Sequence, residues 1–149
     1  MTAFTDIDRD APVVAQHQVD IAAPLDVVWH LHTDVNEWPS WNREITAAKI
    51  EGKFERGNSF TWTSWSLTVT STIHVVEDHS RTLWSGPAQG ILGIHEWRFE
   101  QTRSGVHVTT DESFSGDPVE ADPNSLRDAL DKSLVAWLAR LKTQSESVS

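Results

Sequence analysis

Apolar and polar residues alternate with a period of two through most of the middle of the chain, from Arg43 to Phe114. Such alternation is typical of strands that bury one face of a sheet and expose the other. Short clusters of Gly, Asn, Asp and Ser interrupt the pattern, so it predicts an antiparallel meander of six strands. The predicted strands cover residues 44–50, 59–64, 67–76, 82–89, 94–101 and 106–114.

The segment before this meander adds one strand and two short helices. Residues 13–21 are rich in β-branched side chains and also alternate, which predicts a strand. Pro24 fits the first turn of a short helix that ends near His32. Asp34 is the expected cap of a second short helix, which we expect Pro39 to interrupt.

A long amphipathic helix is predicted near the C-terminal end, with Asp122 as its cap and Pro123 in its first turn. Its apolar stripe consists of Leu126, Leu130, Leu134, Trp137, Leu138 and Leu141. A one-sided helix has to bury its stripe, and the concave face of a curved sheet is the only large partner. The pattern therefore predicts an α+β fold, in which a curved antiparallel sheet of about seven strands wraps around this helix. Large aromatic side chains that hold the two apart would leave a cavity between them.

The length of 149 residues fits one domain. No repeat, low-complexity run or linker divides the chain, so we expect a single domain at residues 13–142. The segments 1–12 and 143–149 are polar and are expected to be disordered tails.

The charge and the cysteine content exclude several classes of function. Twelve basic and 22 acidic residues give a net charge of −10, which disfavours nucleic acid and anionic membrane surfaces as partners. The absence of cysteine excludes disulfides, thiolate metal sites and cysteine nucleophiles. Neither a secretory signal nor an apolar run of ~20 residues is present, so we expect a cytoplasmic protein without membrane contact.

The aromatic content is unusual, with eight Trp, five Phe and no Tyr. Each Trp buries ~150–250 Å² and carries an N–H group that needs a partner. Eight in a domain of this size exceeds what a core usually contains, and an aromatic-lined ligand pocket is the common alternative.

Strand parity brings together one acid and one histidine. In the strand at 94–101 the apolar face includes His95, and in the strand at 106–114 it includes Glu112. Counting back across the turn between these strands places the two residues opposite each other, with Cβ atoms about 4.5–5.5 Å apart. The pair is a candidate acid/base dyad, and a buried pair that only fixes the strand register is the alternative.

The same parity selects the candidate ligand-binding residues of the other strands. It also turns Val75 inward and leaves His74 exposed, while Trp65, near a turn, is expected at the cavity mouth. For the strand tryptophans, plain core packing is the alternative role. The candidate ligand-binding residues are Phe60, Trp62, Trp65, Ser71, Ile73, Trp84, Trp97, Phe99, Thr110, Phe114, Leu130, Leu134 and Trp137.

Metal ligation and nucleophilic catalysis find no support in the sequence. His30 and His32 are two residues apart on a predicted helix, where side chains at that spacing diverge. Ser71 lacks a neighbouring base and a Gly-x-Ser-x-Gly context. We therefore expect no metal and no cofactor.

Several short motifs occur in a distinctive order between about Val13 and Leu141. They are Ile21-Ala-Ala-Pro24, Val27-Val28-Trp29, Trp38-Pro39-Ser40-Trp41-Asn42, Gly57, Phe60, Trp62, Gly90-Ile-Leu-Gly93-Ile-His95-Glu-Trp97-Arg-Phe99 and Thr109-Thr-Asp-Glu112-Ser-Phe114. In this order they resemble the START-like helix-grip superfamily, in particular its polyketide cyclase/dehydrase and lipid-transport-like branch. The resemblance implies a deep apolar cavity between the sheet and the C-terminal helix as the working site. For ring-forming cyclases it also implies a cavity arginine and tyrosine; the chain has no Tyr, and Arg43 is the remaining arginine candidate.

Together, these features predict a domain that binds a polyketide-like, aromatic or lipid-like small molecule in an internal cavity, as a monomer or a homodimer. If the protein is an enzyme, His95 and Glu112 are expected to catalyse cyclisation or dehydration by acid/base chemistry. One alternative is a non-catalytic carrier or sensor of a hydrophobic ligand. Another is a stress or co-chaperone-type interaction domain of the same fold, which should show an exposed apolar patch and a filled interior.

Overall fold

A computed structural model describes residues 4–148 and contains one antiparallel sheet. Its strands are β1 (Val13–Ile21), β2 (Ile45–Ile50), β3 (Ser59–Ser64), β4 (Leu67–Glu77), β5 (Arg81–Ala88), β6 (Ile91–Gln101) and β7 (Val106–Ser115). They are adjacent in the order β1-β7-β6-β5-β4-β3-β2, so β2 to β7 form the predicted meander and β1 pairs with its last strand.

Short helices follow β1, and a long helix ends the described chain. The helices are α1 (Leu25–Thr33), a 3₁₀ turn (Val35–Glu37), α2 (Trp38–Trp41), α3 (Asp117–Ala121) and α4 (Pro123–Val148). This arrangement confirms the α+β helix-grip architecture. Two local details differ from the prediction: the Asp34 side chain makes no capping hydrogen bond, and Pro39 lies in the first turn of α2 instead of interrupting a helix.

A β-bulge changes the parity of the longest predicted strand. Ile73 pairs with Trp84 and Val75 with Leu83, so β4 carries one extra residue between these pairs. The bulge reverses which face the later residues occupy, and Val75 packs on the outer face of the sheet. The prediction that Val75 faces inward is therefore wrong.

Helix α4 continues to Val148, whereas the sequence predicts a disordered tail after residue 142. Ser145 is buried, and the ammonium group of Lys142 donates to the backbone oxygen of Asp20 at 2.8 Å. The last turns of α4 are therefore held against the end of β1, although their side chains are mostly polar.

The described residues before β1 also differ from the predicted tail. Ile7 is buried against Leu83 and Ile94 on the face of the sheet away from α4. This contact covers apolar side chains that would otherwise face water. Residues 1–3 and 149, which belong to the predicted tails, lie outside the described part of the chain.

The main core lies between the sheet, α1 and the second half of α4. Trp137, Leu138 and Leu141 of α4 pack there among the aromatic residues of the sheet. Leu130 and Leu134, nearer the start of the helix, belong to a smaller cluster with residues of β1 and α3. Space remains between the first half of α4 and the central strands, and the candidate site occupies that space.

Candidate functional site

A cavity of about 540 Å³ lies between the central strands and α4. Its volume is in the range of ~300–1,000 Å³ that is typical of small-molecule sites. The predicted site residues that line it are Trp62, Trp65, Ser71, Trp84, Glu112, Phe114, Leu130 and Trp137. The walls are mainly apolar, with a few polar groups in between.

The other predicted site residues do not line this cavity. They are His95, Phe60, Ile73, Trp97, Phe99, Thr110 and Leu134. All of them are buried. The inward parity of the strand residues among them was predicted correctly, but parity identifies the face of a sheet and does not identify what covers it. These strand residues pack in the main core or behind the wall of the cavity, and Leu134 of α4 packs against residues of β1 and α3.

The tryptophans of the wall are held by one another and by specific hydrogen bonds. The rings of Trp62 and Trp137 are 5.7 Å apart, and those of Trp38 and Trp137 are 5.4 Å apart. The indole N–H of Trp62 donates to Oγ of Ser71 at 3.0 Å. The indole of Trp38 donates to the backbone oxygen of His32, so Trp38 supports the wall from behind. A wall fixed in this way offers rigid aromatic surfaces to an apolar ligand.

Two glycines form part of the floor of the cavity: Gly86 of β5 and Gly93 of β6, which are paired in the sheet. A Cβ atom at Gly93 would lie 3.3 Å from Oε2 of Glu112 and 3.4 Å from the ring of Phe114. A Cβ atom at Gly86 would lie 2.8 Å from the backbone oxygen of Thr70. A side chain at either position would crowd these neighbours, so only backbone forms this part of the floor, and the Glu112 carboxyl group lies beside Gly93.

Glu112 and His95 face each other across β7 and β6, as the count across the intervening turn predicts. Oε1 of Glu112 lies 3.4 Å from Nδ1 of His95, and the other ring nitrogen, Nε2, lies 2.7 Å from Oγ1 of Thr110. The Glu112 side chain is 14% exposed and lines the cavity, whereas His95 is 1% exposed. Glu112 is therefore the member of the pair that a ligand can touch, and His95 supports it from behind.

Burial keeps both members of this pair neutral. It raises the pKa of Glu112 to about 8 and lowers the pKa of His95 to about 3. Desolvation penalises the charged form of each group, which explains the opposite directions. Near neutral pH, Glu112 is therefore a carboxylic acid that can donate a hydrogen bond inside an apolar cavity.

Polar and exposed residues surround the opening of the cavity. Trp65, predicted at the mouth, lines the cavity and is 71% exposed. It occupies the tight turn between β3 and β4, where Trp65 and Ser66 both have positive φ values, as a type I′ hairpin turn requires. Glu44 also lines the cavity and pairs with Arg140. The arginine candidate Arg43 is exposed and does not line the cavity, so the structure does not support a role for it there.

The histidines outside the pair have structural partners. His74, predicted to be exposed, is buried with Nε2 2.6 Å from Oγ of Ser85, because it lies in the β4 bulge. His32 is buried against Thr82, whereas the side chain of His30 is 75% exposed, so the two diverge. Within residues 4–148, no group of three potential His, Asp or Glu metal ligands comes together.

Comparison with known proteins identifies the family. The sequence model of the family described as "Polyketide cyclase / dehydrase and lipid transport" matches residues 12–146. The chain belongs to this family. The match confirms the resemblance drawn from the sequence motifs and extends over almost the whole chain.

Two relatives carry names that fit the family. A protein of Streptomyces cyaneus named "Putative polyketide cyclase" is 21% identical over 145 residues, which cover 90% of this chain and 94% of the relative. A protein of Streptomyces halstedii with the same name is 31% identical over 104 residues, covering 61% of this chain and 91% of the relative.

A solved structure supports the fold. A START superfamily protein from Mycobacterium smegmatis superimposes with a TM-score of 0.79 at 12% identity, covering 91% of this chain and 99% of that protein. At this identity the likeness concerns the fold alone. Like the family description, it gives no substrate for this chain. Among the described residues, no helix is long and apolar enough to cross a membrane.

Proposed function

We propose that this protein binds an oxygen-bearing hydrophobic small molecule, of polyketide-like or aromatic type, and promotes its dehydration or cyclisation with Glu112 as the acid/base group. The single observation that carries this proposal is the mostly buried carboxyl group of Glu112 in the aromatic wall of a cavity of about 540 Å³, where burial raises its pKa to about 8. Hydrophobic ligand binding also agrees with the description of the family.

The cavity combines apolar walls with few polar groups, as ligand sites usually do. Oε2 of Glu112 lies beside the space above Gly93, where a ligand oxygen could approach it. Within the cavity, Glu112 is the titratable side chain set into the sheet, whereas Glu44, Asp128 and Lys132 lie around the opening. An acid at this position orients a ligand carbonyl or hydroxyl group without introducing a buried charge.

Dehydration of a β-hydroxy ketone illustrates the chemistry available to such an acid. The proton of Glu112 passes to the hydroxyl group, which leaves as water when its bond to carbon breaks. The carboxylate formed takes a proton from the carbon beside the ketone, and the electrons of that bond form the new double bond. Glu112 returns to its neutral form, so no external oxidant or reductant is needed.

A bicyclic β-hydroxy ketone, whose dehydration yields a naphthol, provides the test. We expect the wild type to accelerate loss of water and Glu112→Gln to reduce the rate ~10²–10⁴-fold, the usual contribution of a positioned acid/base group. Glu100→Gln is the matched control, because Glu100 lies on the exposed face of β6. Binding of the ketone without turnover would refute the catalytic part and leave a carrier or sensor as the function.

The structure gives less support to an interaction domain. Such a domain should have a filled interior and a contiguous apolar patch, whereas this protein has a cavity. Among residues 4–148, the exposed large apolar side chains are Trp65, Val135 and Val148. Trp65 belongs to the cavity mouth, and the other two are well separated along α4. We therefore favour small-molecule binding.

A further inference from the structure

Thr110 lies in the middle of β7, beneath the wall of the cavity, and is fully buried. Its hydroxyl oxygen has two close polar neighbours. One is the backbone oxygen of Glu96, at 2.9 Å, and the other is Nε2 of His95, at 2.7 Å. Both contacts are short enough to be hydrogen bonds.

These two contacts determine which nitrogen of His95 carries a proton. A hydroxyl group has one proton to donate, and a backbone oxygen can only accept. Both contacts can be hydrogen bonds at the same time only if the proton of Thr110 is donated to the backbone oxygen of Glu96. The hydroxyl oxygen then has only lone pairs left for His95, so Nε2 of His95 must be the donor. A neutral imidazole carries a single proton, which leaves Nδ1 with a bare lone pair.

We propose that Thr110 is a positioning residue, which fixes His95 as the Nε2–H tautomer and so presents the Nδ1 lone pair to Glu112. Nδ1 is buried, lies 3.4 Å from Oε1 of Glu112 and has no hydrogen-bond partner among the described residues. A lone pair facing a carboxyl oxygen favours the protonated acid over the carboxylate. The catalytic meaning of this arrangement depends on the proposed function of Glu112, but the tautomer does not.

The opposite tautomer of His95, with the proton on Nδ1, would favour the carboxylate form of Glu112. An Nδ1–H group would donate to Oε1 of Glu112 and stabilise the carboxylate, since a hydrogen bond to the charged form favours that form. The pKa of Glu112 would then fall, and the side chain would enter the neutral pH range as an anion. Thr110 thus adds to the effect of burial in keeping the Glu112 carboxyl group neutral, although it does not touch the cavity itself.

Other charged groups near the pair do not account for the neutral state of Glu112. His32 of α1, whose ring contacts Trp84 and Trp97 as that of His95 does, is neutral because burial holds its pKa well below the usual value. Glu44, which lines the cavity, forms a partly buried ion pair with Arg140. Asp128 and Lys132 of α4 line the same opening and pair with each other, with a nitrogen–oxygen distance of 3.1 Å. Asp128 and Lys132 are exposed, so water screens them, and the charges of Glu44 and Arg140 offset each other within their pair.

The wild-type protein provides the first test, without any substitution. Nitrogen NMR of protein labelled at histidine distinguishes the ring nitrogen that carries the proton from the bare one, and a His95→Gln sample assigns the signals. We expect Nε2 of His95 to carry the proton at neutral pH. A wild-type spectrum in which Nδ1 carries the proton would overturn the proposal.

Two substitutions at Thr110 provide the second test. Thr110→Val keeps the shape of the side chain but removes the acceptor of Nε2–H, so we expect His95 to adopt the Nδ1–H tautomer. The pKa of Glu112, followed by carbon NMR of its carboxyl group, should fall by about one unit or more. Thr110→Ser keeps the hydroxyl group and should retain the wild-type tautomer and titration.

Comparison of the two variants distinguishes a positioning role of Thr110 from a role in packing alone. Equal effects of Thr110→Val and Thr110→Ser, or an unchanged Glu112 titration in a folded Thr110→Val protein, would refute the positioning role. These spectra need neither ligand nor turnover. A wild-type protein that shows the expected tautomer but binds no hydrophobic ligand would therefore refute the proposed function and leave the role of Thr110 standing.

Discussion

Replacement of Glu112 by glutamine is expected to change how the stability of the protein depends on pH. Burial raises the pKa of Glu112 from its ordinary value of 4.5 to about 8. Between these pH values the folded protein holds a proton at Glu112 that the unfolded chain has lost. Because the folded state binds more protons there, the free energy of unfolding falls as the pH rises through this window. Glu112→Gln removes this dependence.

His95 acts in the opposite direction and at lower pH. Its pKa is lowered from 6.5 to about 3, so below pH 6.5 the unfolded chain binds a proton that the folded protein does not. Stability therefore falls as the pH decreases from 6.5 towards 3, and the two effects oppose each other between pH 4.5 and 6.5. Between pH 6.5 and pH 8, only Glu112 of this pair contributes. One proton is worth about 1.4 kcal/mol per pH unit, so the wild type should lose about 2 kcal/mol relative to Glu112→Gln.

Urea unfolding of both proteins at pH 6.5 and at pH 8 measures this difference. Other titrating groups, such as His79, whose pKa is raised by its hydrogen bond with Asp78, are present in both proteins and cancel in the comparison. Glu100→Gln makes the same substitution on the exposed face of β6 and should keep the pH dependence of the wild type. A constant stability difference between Glu112→Gln and the wild type at the two pH values would refute the assignment of Glu112 as a buried neutral acid.

Three further predictions concern the walls and the opening of the cavity. Gly93→Ala places a methyl group 3.3 Å from Oε2 of Glu112, so it should weaken the binding of oxygen-bearing ligands in fluorescence titrations. An unchanged affinity would contradict the placement of the ligand above Gly93. Truncation before Leu126 removes most of α4, including side chains whose burial is worth ~1.5–3 kcal/mol each, so the remaining chain should lose its cooperative thermal transition. Trp65→Ala should leave the melting temperature nearly unchanged, because Trp65 is mostly exposed, but should weaken ligand binding; an equal affinity would show that the mouth takes no part.

The architecture was predictable because alternation and helical spacing are local properties of the sequence. The register that places His95 opposite Glu112 followed from strand parity and one turn length. Parity failed at Val75, since the β4 bulge inserts one residue and no turn signal marks it. The continuation of α4 to Val148 was also missed, because it depends on contacts of polar side chains with β1, far away in sequence.

The site was predictable only in part. Eight of the predicted residues line the cavity, but His95 and Thr110 lie behind its wall, and the sequence does not specify which inward side chains α1 and α4 cover. The floor glycines Gly86 and Gly93 were overlooked as site residues. A glycine inside a strand pattern often marks close approach of a ligand or of another backbone, and this signal could have identified both.

The central claim, that the cavity holds a hydrophobic small molecule, is tested most directly by native mass spectrometry of the protein purified from its own host. We predict a one-to-one complex of the chain with a small molecule that is released when the protein is denatured. After addition of aromatic polyketides, sterols and fatty acids, the oxygen-bearing aromatic compounds should form such a complex most readily. A spectrum that shows only the mass of the chain, both as purified and after exposure to this panel, would contradict the claim.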